Sequence, residues 1–201
     1  MTELDFDNPP DEPLAPLKLW VADAEREAGT KNPSAMSLAT IDPDGRPSVR
    51  VVLLRGLDEN GAVFFTNRRS RKGDALRVHA RAALALHWDA LERQIRIEGE
   101  VSETSDADSD AYWNTRPRES QIAAWASEQS RPIGSRELLD EAYGRYEKQF
   151  ADQDVPRPDF WGGYRVALER VEFWEGKRAR MHDRIEYVRR EDSWKIERLC
   201  P

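Results

Sequence analysis

Residues 35–67 read AMSLATIDPDGRPSVRVVLLRGLDENGAVFFTN, and this stretch decides the fold. It contains three apolar runs, at 35–41, 47–54 and 62–66, separated by the turn-forming segments 42–45 and 58–61. Short runs rich in Val, Leu and Phe are typical of strands, and Asp, Asn and Gly between them are typical of hairpin turns. The stretch therefore predicts an antiparallel meander.

The same reading extends to both sides of the meander. Further strands are predicted at 82–88, 94–101, 164–174, 184–190 and 194–199. Helices are predicted at 16–28, 71–79, 105–116, 117–126 and 135–150, where apolar residues recur at helical spacing or N-cap residues and Pro mark helix starts. Ser70 is the predicted N-cap of the helix at 71–79. A strand-rich first half, a helical insert and a strand-rich end predict an α+β barrel with helices packed outside.

The chain is predicted to form one domain over residues 13–201, because no repeat or linker divides it. Residues 1–12 contain acidic residues and prolines with little to bury, so they are expected to be disordered. The formal charge is −7, and residues 1–30 carry −6 of it. The remaining body is almost neutral although it is rich in charge.

The composition excludes several classes of protein. No run approaches the ~20 apolar residues of a membrane span, and the acidic N-terminus does not resemble a targeting signal. The single cysteine, Cys200, cannot form an internal disulfide, and the three histidines lack metal-site spacing. A cytoplasmic protein without a metal is expected. Nucleic acid is a poor partner for a negative chain whose bases alternate with acids.

Arginine accounts for 25 of the 31 basic residues. Its planar fork binds phosphate and carboxylate bidentately, although codon bias with solvated Arg explains many of these positions equally well. The segment 67–73, NRRSRKG, follows a strand and opens a helix, where free backbone N–H groups favour an anion. It is either a phosphate cradle or a basic helix start in solvent.

Three further groups of residues could bind anions. Arg50 and Arg55 interrupt an apolar strand, as anion ligands or as edge charges. Tyr112, Arg116 and Ser120 recur at intervals of four around Pro117, although this spacing alone is a weak signal. In the last group, four basic residues surround His182 in the sequence: Lys177, Arg178, Arg180 and Arg184. Like charge favours a neutral imidazole there, which is either structural or a hydrogen-bonding partner of a substrate ring. The residues predict two or more anion sites, of which phosphate is the expected ligand.

Nine motifs in register resemble the pyridoxine/pyridoxamine 5′-phosphate oxidase family, over residues 33–201. They are RVVLLR (50–55), FFTN (64–67), SRKG (70–73), LERQIRIEG (91–99), RPRESQIAAWAS (116–127), EQS (128–130), FWGGYRV (160–166), EFWEG (172–176) and RMHDR (180–184). The resemblance implies an antiparallel, Greek-key-like split β-barrel with peripheral helices. It also implies a homodimer that binds FMN at its interface.

The resemblance also implies an activity and two sets of site residues. The family oxidises pyridoxamine or pyridoxine 5′-phosphate to pyridoxal 5′-phosphate, reduces O2 to H2O2 and releases ammonia from the amine. The implied FMN ligands are Arg50, Val51, Val52, Leu53, Leu54, Arg55, Phe65, Thr66, Arg71, Lys72, Gln94, Gln129, Ser130, Trp174 and Arg184. The implied substrate ligands are Arg55, Tyr112, Arg116, Ser120, Arg180, Met181 and His182, with Arg180 and His182 also the implied catalytic residues.

Three features depart from the family pattern. Arg55 stands where Lys is common, Phe65 stands where Tyr is frequent, and the N-terminal segment is acidic where many members have a basic one. The alternatives are the related oxidase of phenazine biosynthesis, a non-catalytic carrier of FMN or pyridoxal phosphate, and a nucleic-acid module. The motifs at 116–121 and 180–182 favour the vitamin B6 substrates, since those residues are implied to hold their phosphate and ring.

Overall fold

The computed structural model of the chain describes residues 4–201, and an antiparallel β-sheet forms its centre. The strands in these residues are β1 (Ala35–Ile41), β2 (Pro47–Leu53), β3 (Gly56–Asp58), β4 (Gly61–Asn67), β5 (Arg81–Trp88), β6 (Arg93–Glu103), β7 (Trp161–Val166), β8 (Arg170–Glu175), β9 (Asp183–Arg190) and β10 (Ser193–Arg198). The α-helices are α1 (Leu14–Glu27), α2 (Arg71–Val78), α3 (Asp106–Thr115), α4 (Arg118–Ala126) and α5 (Arg136–Gln149). No helix in residues 4–201 is long and apolar enough to cross a membrane.

The long strand β6 makes the sheet curl. Its first half pairs with β8 and its far end, 101–103, pairs with β7, while β5 lies along its other edge. The sheet order is β10-β9-β8-β6-β5-β1-β2, and β7 continues into β4 and β3. This arrangement confirms the α+β split barrel with peripheral helices.

Alternation along β6 separates the barrel core from an outer face. Ile95 and Ile97 are fully buried and belong to a cluster with Phe173 and Tyr187, whereas Arg96 between them is only half-buried. Helix α1 covers the barrel through Trp20, whose ring lies 5.2 Å from Phe173 edge to face. Period-two burial is what a strand with one core face requires.

A second, smaller core lies under the helical insert. Trp113, Ile122, Phe150, Val155 and Trp161 form this cluster, which joins α3 and α4 to β7. The indole Nε1 of Trp113 donates to the carbonyl of Val155 at 2.8 Å. The insert is thereby fixed against the barrel.

One local prediction was wrong. The strand predicted at 164–174 is two strands, because the N–H groups of Ala167 and Glu169 donate to the carbonyls of Glu100 and Glu98 at the break. Ser70 is the N-cap residue of α2, as predicted. Its side chain makes no capping hydrogen bond, because the hydroxyl donates to the carbonyl of Asn67 at 2.7 Å.

The acidic N-terminal segment contacts the barrel where the structure describes it. Residues 1–3 lie outside the described part of the chain, and 4–12 form no helix or strand. Phe6 packs against Trp20, and the Tyr187 hydroxyl donates to the Pro10 carbonyl at 3.0 Å. Asp7 pairs with Arg198 at 2.6 Å.

Candidate active site

A cleft of about 590 Å³ opens between the barrel and the helical insert. Strands β2 and β4 form one wall, and the ends of α3 and α4 form the other. Its size falls within the ~300–1,000 Å³ of small-molecule and cofactor sites. The cleft therefore has room for a ligand of that class.

Lys72 is a buried cation on the cleft wall. Its Nζ donates to Thr66 Oγ1 at 2.8 Å, to Ser70 Oγ at 3.0 Å and to Gln129 Oε1 at 2.9 Å. Burial, and secondarily the charge of Arg50, lowers the pKa of Lys72 to about 8. These partners are neutral, so the ammonium charge is solvated by oxygens but not neutralised by them.

Arg50 and Arg71 add positive charge beside Lys72. The guanidinium of Arg50 is held by the Thr40 hydroxyl at 2.8 Å and the Ser48 hydroxyl at 2.7 Å. Burial and the nearby charge of Arg71 lower the pKa of Arg50. Arg71 itself pairs with Asp42 at 3.3 Å. Three cations with Asp42 as their one carboxylate partner within residues 4–201 make this end of the cleft favourable for a phosphate dianion.

Arg55 from the barrel wall meets Tyr112, Arg116 and Ser120 from the helical wall. The Nε of Arg55 donates to the Tyr112 hydroxyl at 2.6 Å, and the Nη2 of Arg116 donates to the Ser120 carbonyl at 2.9 Å. The Nη1 of Arg116 is buried and has no hydrogen-bond partner within residues 4–201. Burial lowers the pKa of Arg116, which nevertheless remains a strong base. A buried, unsatisfied guanidinium donor is expected at an anion site.

Three aromatic rings lie nearly parallel in the cleft. Phe65 stacks on Tyr112 at 4.3 Å between centroids, and Trp161 lies 5.6 Å from Phe65 with an interplanar angle of 10°. A Cβ at Gly163 would stand 2.7 Å from Cε1 of Phe65, so glycine there makes room for this ring. The cleft thus combines apolar faces with two cationic ends.

A second group of expected site residues lies away from the cleft, on the outer face of β6, β8 and β9. Gln94, Trp174 and Arg184 are register partners and form one row across these strands. His182 lies 4.7 Å from the Trp174 ring, and its Nδ1 accepts from the Lys177 N–H at 3.1 Å. None of these residues lines the cleft of the same chain.

The loop before β9 has strained backbone at Arg180. Ala179 and Arg180 have φ angles of 56° and 62°, the left-handed region that non-glycine residues rarely adopt. Met181 is exposed. Such strain persists where surrounding contacts determine it, often at functional sites.

The expected residues therefore fall into separate groups. Those that line the cleft are Val51, Val52, Leu53, Arg55, Phe65, Thr66, Lys72, Tyr112, Arg116, Ser120 and Gln129. Arg50 and Arg71 stand beside it, Ser130 follows Gln129, and Leu54 is buried in the barrel core. Asn67, from the predicted anion-binding segment 67–73, also lines the cleft, and so does Trp161, which was not predicted as a site residue. The FWGGYRV motif was a signal for Trp161, but its residues were not interpreted one by one.

Family models match most of the chain. A model described as pyridoxamine 5′-phosphate oxidase matches residues 22–150, and one described as the pyridoxine 5′-phosphate oxidase C-terminal dimerisation region matches residues 161–201. The chain is 50% identical over 190 residues to a pyridoxine/pyridoxamine 5′-phosphate oxidase of Rubrobacter xylanophilus, covering 94% of this chain and 87% of the relative. It is 46% identical over 191 residues to the oxidase of that name in Synechocystis, covering 95% and 89%.

Solved structures share the fold. PhzG from Burkholderia lata, in complex with tetrahydrophenazine-1-carboxylic acid, aligns with a TM-score of 0.93 and 33% identity over 100% of this chain and 98% of that one. A pyridoxamine 5′-phosphate oxidase-related, FMN-binding protein from Nostoc punctiforme aligns with a TM-score of 0.76 over 93% and 96%. At 18% identity, the second comparison supports the fold alone.

Proposed function

The chain belongs to the pyridoxine/pyridoxamine 5′-phosphate oxidase family, and from this premise we propose that it makes pyridoxal 5′-phosphate with FMN as cofactor. Pyridoxine 5′-phosphate and O2 give pyridoxal 5′-phosphate and H2O2. Pyridoxamine 5′-phosphate, O2 and water give the same two products and ammonia. The observation that carries the proposal is one cleft with two cationic ends, one around Lys72 and one around Arg116.

The residues around Lys72 suit the phosphate of FMN. Lys72, Arg50 and Arg71 supply charge, while Thr66 and Gln129 supply hydrogen-bonding groups. Charge-assisted hydrogen bonds contribute about 1.5–3 kcal/mol each, so three of them hold a phosphate firmly. When bound, FMN supplies a hydride acceptor that O2 reoxidises. The protein binds and orients the reactants.

The opposite end suits the phosphate of the substrate. Arg116 offers an unused donor, Arg55 offers a second guanidinium, and the Tyr112 and Ser120 hydroxyls add polar contacts. Holding both phosphates fixes the reacting carbon relative to the flavin, which is the positioning that hydride transfer requires. Phe65 and Trp161 provide flat apolar faces for rings between the two ends.

We infer that a second subunit completes the site. The chain matches a dimerisation region over residues 161–201, and β2 is an edge strand with Val49 and Val51 about two-thirds exposed. Such an apolar edge is typical of an interface. A symmetric partner would bring its own row of Gln94, Trp174 and Arg184 to the FMN. Its Arg180 and His182 would orient the substrate ring and stabilise developing charge, without acting as an obligatory base.

Aerobic turnover tests the proposal directly. Purified protein loaded with FMN is incubated with pyridoxamine 5′-phosphate, and pyridoxal 5′-phosphate and H2O2 are measured together. Equal amounts of both products are expected, and unphosphorylated pyridoxamine serves as the matched control because it lacks the anchor. Flavin-loaded protein that forms neither product would contradict the proposal. Protein that fails to take up FMN would contradict the cofactor assignment.

One observation favours a second candidate. The similarity to PhzG extends over the whole chain, so oxidation of a reduced phenazine carboxylate is the alternative. Such an anion could also pair with Arg116. The two candidates are separated by offering each substrate under air to the same preparation. A non-catalytic carrier would bind flavin and leave both substrates unchanged.

A further inference from the structure

The guanidinium of Arg116 lies against two indole rings that also contact each other. Its guanidinium carbon lies 4.9 Å from the ring centroid of Trp113 and 4.7 Å from that of Trp161. The residue sits at the end of α3, in an extended conformation, with Pro117 and α4 directly behind it. Within the described residues its side chain makes one hydrogen bond, from Nη2 to the Ser120 carbonyl.

This mode of support differs from that of other arginines in the chain. Arg157 donates to Asp106, Asp110 and the Trp161 carbonyl, so its N–H groups are committed and its charge is neutralised. Arg116 has no ion pair within the described residues. An aromatic face attracts a guanidinium through its π electrons and leaves the N–H donors of the guanidinium free to bind other groups. Arg116 is therefore oriented while its fork stays available.

The two indoles are themselves fixed. Trp113 is buried, and its indole N–H donates a hydrogen bond to the Val155 carbonyl. Its ring packs edge to face on Trp161, with 4.9 Å between the ring centroids. Trp161 also lies nearly parallel to Phe65 and Tyr112 in the cleft. Trp161 thus connects the ring-binding wall of the cleft to the cation at its end.

We propose that Trp113 and Trp161 are positioning residues that hold Arg116 at the cleft with its N–H fork open for the substrate phosphate. This inference rests on the proposed function, since it assigns the role of Arg116 within that site. Hydrogen bonds to carboxylates would have fixed the guanidinium equally well but would have neutralised it. Two ring faces orient the group and preserve its charge for the ligand.

The test uses Trp161, because it lines the cleft. Trp161→Leu removes the π face, Trp161→Phe retains one, and Trp125→Leu is the control. Trp125 packs against the same small core, but its ring contacts Tyr146 and Phe150, whereas Arg116 lies over Trp113 and Trp161. Steady-state kinetics with pyridoxamine 5′-phosphate are measured on FMN-loaded protein, with equilibrium dialysis of pyridoxal 5′-phosphate and melting temperature alongside.

Trp161→Leu is expected to raise KM and the Kd for pyridoxal 5′-phosphate about thirtyfold, the size of a desolvated cation–π contact. The rise in KM is expected to exceed any fall in kcat, because Arg116 is assigned to binding the phosphate. Trp161→Phe should recover most of the affinity. Trp125→Leu should lower the melting temperature and leave KM and Kd unchanged.

A double-mutant cycle separates positioning from general loosening of the site. In the Arg116→Gln background, Trp161→Leu should change the Kd by a smaller factor than in the wild-type background, since only the contact of Trp161 with the bound ring remains to be lost. An unchanged Kd in Trp161→Leu alone, or an equal loss in both backgrounds, would overturn the inference. Failure of the proposed function has a different signature, because wild-type protein would then neither oxidise pyridoxamine 5′-phosphate nor bind the product.

Discussion

The buried carboxylate of Glu172 holds Arg184. Its Oε1 accepts from Nε at 2.8 Å and lies 2.8 Å from Nη2, which raises the pKa of Arg184. The other oxygen, Oε2, accepts from Arg96 at 2.9 Å. The guanidinium also donates to the Cys200 carbonyl. Glu172 therefore sets the orientation of an arginine that we assign to the FMN.

Glu172→Gln is expected to weaken FMN binding by about tenfold or more, because breaking a buried ion pair leaves an uncompensated charge and releases Arg184. The measurement is fluorescence titration of apoprotein with FMN, with melting temperature recorded in parallel. Glu98→Gln is the control, since Glu98 lies on the same face and pairs with Arg96 and Arg170 but not with Arg184. A variant that melts earlier yet binds FMN normally would show that Glu172 supports only the sheet.

FMN affinity should fall as the pH rises above about 8. Lys72 has a pKa of about 8 in the free protein, and an adjacent phosphate dianion would raise it, so binding above this pH takes up a proton. Linkage predicts a loss approaching about tenfold per pH unit. Titrations at pH 7, 8 and 9 measure the slope. Lys72→Arg should abolish it, and a flat wild-type profile would place the phosphate elsewhere.

The apoprotein should gain stability over the same range of pH. The pKa of Lys72 is lowered on folding from 10.5 to about 8, so the unfolded chain binds more protons between these values and the free energy of unfolding rises with pH. Lys72→Met removes the buried charge, which should stabilise the apoprotein at pH 7 by about 1–3 kcal/mol. Loss of the hydrogen bonds that the Lys72 ammonium makes reduces this gain. Denaturant unfolding of the apoprotein at pH 7 measures this difference. Destabilisation by Lys72→Met would show that the hydrogen bonds outweigh the burial of charge.

Arg116→Ala should raise KM for pyridoxamine 5′-phosphate by about a hundredfold, since charge-assisted contacts to phosphate contribute about 1.5–3 kcal/mol each. FMN should remain bound, because its proposed anchor is at Lys72. Arg136→Ala is the control, as Arg136 is exposed, pairs with Asp140 and lies outside the cleft. Loss of flavin from Arg116→Ala would reverse the assignment of the two ends.

Strand pairing marks the limit of what the sequence could predict. In the sequence, Ile95 and Ile97 alternate with polar residues, a pattern that indicates which face of β6 is buried, and the motifs indicate which residues to expect at a site. The row from Gln94 to Arg184 depends on register between strands, which no local pattern encodes. The pairing of Arg116 with Trp161 likewise depends on packing between segments 45 positions apart. The sequence predicted Ser70 at the N-cap of α2 but not the use of its hydroxyl, which donates to Asn67 and accepts from Lys72.

Complementation between subunits tests whether one site uses two chains. Arg116→Ala damages the cleft, and His182→Ala damages the loop that we assign to the neighbouring subunit. In a mixed dimer, one site then carries both lesions and the other carries neither. Random mixing after co-refolding makes about half of the dimers mixed, and each mixed dimer has one intact site. About a quarter of all sites should then be intact, so the mixture should show about a quarter of the wild-type activity. Activity of the mixture is compared with that of each variant alone at the same flavin concentration. A mixture no more active than the mean of its parents would show that the cleft and the loop act within one chain.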